Sequence, residues 1–161
     1  MRRPRWPEIA PPSCGGVRVH GRRLLAADTH LTVELVQVVA FASGLGVHVA
    51  LTATGRAAEL AQYQTRPLTD PADESGRWSY LEVRAGIERT VFADPFLPTP
   101  DVQGCAGGLC TYRTEPRYWL GERPPVRALT ITAQWRQIGL PHTMAVVALA
   151  SIDEVSPTTL A

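Results

Sequence analysis

Cys105 and Cys110 flank Ala-Gly-Gly-Leu, a C-x4-C pair. Zinc sites use close cysteine pairs of this kind, completed by two further thiolate or imidazole ligands. The partners available are Cys14 and the four histidines, His20, His30, His48 and His142. The set that can be drawn is Cys14, Cys105, Cys110 and His20, because Cys14 and His20 share one short segment. The second half of that site lacks the close pairing of the first, so the zinc signal is weak. Gly107-Gly108 lets the chain close tightly, which suits a reversible disulfide between Cys105 and Cys110 better than a metal site. Unpaired thiols are the plainest reading, since three cysteines in a chain without a secretory leader do not make a disulfide framework. Zinc apart, no cofactor is expected.

The remaining titratable residues offer less. His142 follows a Pro at a turn and His48 lies within a strand, and both read as ordinary surface or edge histidines. Glu82, Glu88 and Asp94 can be drawn as paired carboxylates, but they alternate outward with Arg84, the pattern of cross-strand charge pairing. No nucleophile elbow, H-x-x-x-H, P-loop or dinucleotide glycine pattern is present. Trp78, Tyr80, Tyr118 and Trp119 are the candidate binding residues, with Trp135 nearby in type. Large aromatics in a small β protein pack into the core by default. They form a recognition surface only if Tyr80 and Tyr118 stand exposed on one sheet face.

These residues must be positioned by strands. Residues 31–54 form the organising stretch, a hairpin. Val33, Val36, Val38, Val39 and Phe41 are β-branched or aromatic. Ser43-Gly44-Leu45-Gly46 is expected to turn the chain by supplying positive φ. Val47, Val49, Leu51 and Ala53 then share one face. The first strand is apolar on both faces from 36 to 42, which predicts a central strand covered on both sides. A short helix over 56–64 is expected next, capped by Thr54 and stopped by Pro67. Residues 69–77 read as a polar loop. Residues 78–92 read as a strand, with Gly86 marking a bulge or a second hairpin turn. Residues 93–111 read as one long loop, a length that is often functional. Strands follow at 117–120, at 129–136 with strict alternation, and at 142–152 after a turn at Gly139 and Pro141.

About seven strands with Gly/Pro turns and at most one short helix predict an all-β fold, an antiparallel β-sandwich. The expected organisation is a flexible Arg/Pro-rich arm over 1–23, one sandwich domain over 24–155 and a frayed end over 156–161. All 16 basic residues are arginine, the mark of a GC-rich coding sequence, and a net charge of +1 gives no global reason for a nucleic-acid or membrane partner. Trp6 alone among aromatics interleaves the arginines of the arm, so nucleic-acid stacking is not expected there. No apolar run approaches the ~20 residues of a membrane span, and no apolar core follows the basic N-terminus, which makes the cytoplasm the default location.

The C-terminal third resembles a family of actinobacterial proteins of unknown function. The residues that carry the likeness are Tyr118-Trp119, Pro124-Pro125, Leu129-Thr130, Trp135 and Gly139-Leu140-Pro141, and the valine-rich strand, glycine turn and second strand from Val33 to Thr54 are similar as well. The resemblance implies a β-sandwich and carries no activity, so it assigns no catalytic or binding residue. The cysteine loop lies outside the shared pattern. The function expected is a non-catalytic module that binds a protein partner or a second copy of itself. The alternative is a thiol or zinc protein using the Cys105/Cys110 loop.

Overall fold

The computed structural model describes residues 15–42, 44–70, 72–75, 77–86, 91–92, 94–96, 101–104, 109–120 and 128–150. Among the described residues twelve strands form two antiparallel sheets: β1 (Val17–His20), β2 (Arg23–Ala27), β3 (Leu31–Phe41), β4 (Gly44–Thr54), β5 (Glu82–Gly86), β6 (Val91–Phe92), β7 (Asp94–Phe96), β8 (Asp101–Gln103), β9 (Thr111–Thr114), β10 (Arg117–Leu120), β11 (Ala128–Trp135) and β12 (Leu140–Ala148). The fold is therefore all-β, as expected. The count exceeds seven because several chain passes are broken in the middle. β1 and β2 both pair with β3, at its two halves. β9 and β10 likewise share β4, and β8 and β7 pair with β9 and β10 in turn. The larger sheet thus contains five long passes, in the order β1/β2, β3, β4, β9/β10, β7/β8. The smaller runs β12-β11-β5-β6. One hydrophobic cluster draws on both sheets and on the helix.

The hairpin of 31–54 has the expected bounds. Ala42 begins its turn, and Gly44 and Gly46 belong to β4 with no positive φ. Gly44 is needed for close approach instead: a Cβ there would meet the Leu120 carbonyl oxygen at 2.0 Å. β3 is central, but its burial alternates along the strand and its second face is only half covered. Val36 drops out of register in a bulge between Leu35 and Gln37, which moves the buried face from odd-numbered residues before it to Val38 and Ala40 after it.

The helix, α1 (Gly55–Thr69), runs past Pro67. The ring removes one bond near the helix end, and Asp70 N–H closes the last turn on Arg66 O at 2.8 Å. Thr54 is the N-cap residue but makes no side-chain cap. Its hydroxyl lies 3.5 Å from His30 Nδ1. Ala57, Ala58, Ala61 and Thr65 are buried at helical spacing, and small residues let the helix pack closely.

Other expectations change. β1 and the start of β2 place residues from Val17 onward in the sheet, so the arm is shorter than 1–23. Residues 78–92 divide into two strands, with Ala85 opposite Val91, so the hairpin alternative holds. Residues 93–111 contain β7 and β8. Gly139, at φ 91°, makes the turn after a short 3-10 segment (Arg136–Ile138), whereas Pro141 lies within β12. Glu88, the other residues of 1–14 and the end beyond 150 lie outside the described residues. Among the described residues no helix is long and apolar enough to cross a membrane.

Candidate functional site: the seam between the sheets

The four aromatic candidates do not form one surface. Successive residues of a strand point to opposite faces, so Tyr118 and Trp119 part company on β10. Tyr118 is wholly buried and donates its hydroxyl to Leu81 O at 3.0 Å. Trp119 lies half-buried on the other face, edge-on to Phe41 with centroids 5.7 Å apart. Tyr80 is buried, hydrogen-bonded to Thr114 Oγ1 at 2.5 Å, and Trp78 packs half-buried against the core. Tyr80 and Tyr118 thus fail the exposure that a recognition surface required, and both are core residues.

They belong to a cluster of four rings. Trp135 lies 5.4 Å from Tyr80 and 6.1 Å from Tyr112, centroid to centroid. Its indole N–H donates to Ser79 Oγ at 2.8 Å, and Ser79 Oγ donates to Gln64 Oε1 at 2.8 Å, which ties α1 to the smaller sheet. Burial pushes all three tyrosine hydroxyls up: Tyr80 and Tyr118 well above the usual range, Tyr112 to about 12. Tyr112 OH is buried without a hydrogen bond of good geometry, beside Thr65, whose own hydroxyl donates to Ala61 O. Neutral, desolvated phenols in a packed interior hold the fold and offer no access to a substrate.

The cysteines read differently. Cys110 is fully buried and disulfide-bonded, and its carbonyl accepts from Gly55 N–H at 2.9 Å, anchoring the helix start. A disulfide sulfur supplies no thiolate, so the zinc reading applies only to a reduced chain. Cys14 and Cys105 lie outside the described residues. His20 is on β1 and donates from Nδ1 to Gly21 O at 2.7 Å. Among the described residues no cluster of three or more His, Cys, Asp or Glu could hold a metal ion. His48 accepts from Gln37 Nε2 at 3.0 Å on the outer side of β4, its basicity lowered by burial and then by Arg117. His142 is exposed on β12. Glu82 accepts from Gln134 Nε2 across the strands, an amide partner in place of the expected cross-strand charge. An open cleft of about 940 Å³ lies between the second half of α1 and residues 70–77. Within it Arg66 is paired with Asp70 at 3.6 Å.

The surface that departs from a neutral exterior lies elsewhere. Leu24, Met144 and Val146 are 57%, 66% and 55% exposed, although a leucine, a methionine and a valine gain most from burial. Leu24 is on β2 and the other two are on β12, the edge passes of the two sheets. These edges meet. Ala150 N–H donates to Val19 O at 2.8 Å, and four residues on, Arg23 Nη1 donates to Val146 O at 2.7 Å. The sheets are thus joined by a backbone bond at one point and by a guanidinium at the next. A side chain spanning the gap holds strands further apart than the ~4.8 Å of a ladder. The seam leaves apolar side chains standing on both of its banks.

Sequence reasoning placed Met144 and Val146 on a strand but gave them no role. The signal available was that β12 is apolar on both faces, which a strand at a sheet edge does not require. No family model, no curated protein and no solved structure matches the chain.

Proposed function

We propose that this chain is a non-catalytic interaction module whose contact surface is the seam between β2 and β12, and that it binds a protein partner or a second copy there. The observation that carries the reading is the grouping of Leu24, Met144 and Val146, all more than half exposed, on two adjoining edge strands. Covering what remains exposed of three such side chains contributes on the order of 3–5 kcal/mol. Alone that corresponds to a Kd of about a millimolar. A stable complex therefore needs further contributions from the arginines of β1 and β2 or from the strand edge.

Cytoplasmic residence belongs to the same proposal, with one condition. A reducing compartment disfavours disulfides, so Cys110 would there pass between thiol and disulfide. The actinobacterial resemblance is carried on the same terms and adds no activity.

A photo-crosslinking amino acid placed at position 144, with exposed Leu109 as the control site, tests the reading in native cells. Adducts at 144 and none at 109 are expected, and their mass separates a second 17.5 kDa copy from another protein. Equal labelling at both sites, or none at 144, contradicts it.

A further inference from the structure

The seam specifies more than an apolar contact. In an antiparallel strand the N–H and C=O of one residue turn to the same side, and the side alternates. Val146 C=O is taken by Arg23 across the seam, and Ala150 N–H by Val19 O. Beyond the register shift at the start of β12, the even-numbered residues from Met144 to Ala148 therefore turn their backbone groups away from β11. Met144 is among them, and among the described residues β12 forms a ladder with β11 alone. Among the described residues no hydrogen bond takes the outward backbone groups of Met144, next to the point where Arg23 closes the edge at Val146.

Charge then selects the occupant. The β1/β2 bank carries exposed Arg18, Arg22 and Arg23. Arg22 faces Glu34 at 3.5 Å. Among the described residues no carboxylate lies within ion-pair distance of Arg18 or Arg23. β12 contributes no Asp or Glu to balance them. A second copy docked about a two-fold axis would set arginine against arginine, a destabilising arrangement. An acidic partner removes that repulsion.

Resting on the interaction-module reading, we propose that the seam receives an extended peptide segment in which apolar residues alternate with Asp or Glu. The segment adds to the outward edge of β12 at Met144, a form of strand addition. Its apolar side chains cover Leu24, Met144 and Val146. Its carboxylates meet Arg18 and Arg23, and Arg23 exchanges the Val146 carbonyl for a charged acceptor, the stronger partner.

The test pans a random dodecapeptide display library on the intact chain and measures the enriched peptides by fluorescence anisotropy. Enriched sequences are expected to alternate apolar with acidic residues. Met144→Asp and Arg23→Glu are each expected to weaken binding ~10-fold or more, and rising salt to weaken it further. Arg18→Glu, at a side chain that makes no ion pair among the described residues, gives the charge test without disturbing the Arg23 bridge. N-methylation of alternate peptide amides is expected to cost ~10-fold in one register and little in the other, because only one set faces β12. Enrichment of neutral or basic peptides, indifference to N-methylation in both registers, or failure to enrich any peptide overturns strand addition. Crosslinking at position 144 separates the failures: adducts there without acidic peptides leave the module standing and remove only its proposed ligand.

Discussion

Two regions of this protein are rich in large apolar side chains and polar atoms, and they use them in opposite ways. Around Trp135, the rings of Tyr80, Tyr112 and Tyr118 are buried; Tyr80 is bonded to Thr114, Tyr118 to Leu81 O and the Trp135 indole to Ser79, and Tyr112 OH is buried beside Thr65. At the seam, Leu24, Met144 and Val146 stand in solvent, and Arg23 spends one donor on a carbonyl. The first region is closed: its rings pack on one another, and all its polar side-chain atoms but Tyr112 OH find a hydrogen-bond partner within the chain. The second is incomplete, since its apolar area and its cations gain more from a ligand than from the rest of the chain. Core and surface are thus told apart here by whether partners are supplied from within, more than by residue type.

The comparison makes graded predictions. Trp135→Ala empties the largest wholly buried side chain of the cluster and is expected to cost about 3–5 kcal/mol, read as a fall in the denaturation midpoint. A change below 1 kcal/mol would mean that the rings are not the centre of the core. Reducing the Cys110 disulfide, or Cys110→Ser, is expected to cost ~2–4 kcal/mol and to loosen the start of α1, where Gly55 N–H meets Cys110 O, as seen by amide exchange at Gly55. Exchange at Gly55 that ignores reductant contradicts this link.

Alkali attacks the same core. Three phenols whose folded pKa values lie above the unfolded value of ~10 stay neutral while an unfolded chain would ionise. Below that pH both states are protonated and nothing is gained or lost. Above it the unfolded chain binds fewer protons, so stability falls with rising pH. Cooperative unfolding between about pH 10 and 12, coincident with tyrosinate absorbance at 295 nm, is expected. Separate transitions would place the hydroxyls in solvent. The smallest effect is expected at the seam: Met144→Asp should change stability by no more than ~0.5 kcal/mol, since its side chain is 66% exposed.

The strands were legible where each residue's type matched a local demand. The 31–54 hairpin reads from β-branched residues alone, and β11 from its alternation. Glycine misled at Gly44, where the requirement is room for the Leu120 carbonyl, which depends on a strand 76 residues away. Pro67 misled in the other direction, because a proline near a helix end forfeits one bond that packing of Ala61 and Thr65 outweighs. β7 and β8 are three residues each and exist only because β9 and β10 lie beside them, so no local pattern marks them. The aromatic candidates were chosen by type, yet Tyr80 and Tyr118 point inward. The seam was hidden for the same reason: Met144 and Val146 become informative once β12 is known to be an edge strand beside β2.

The central claim is that the seam contributes to binding and little to folding. Its most direct test is one protein measured twice, Met144→Asp beside the wild type, for denaturation midpoint and for crosslinked adducts from a probe at the neighbouring position 146 in native cells. Unchanged stability with adducts lost is the predicted result. Lost stability, or adducts that survive the substitution, would show that Met144 belongs to the fold or to an ordinary surface.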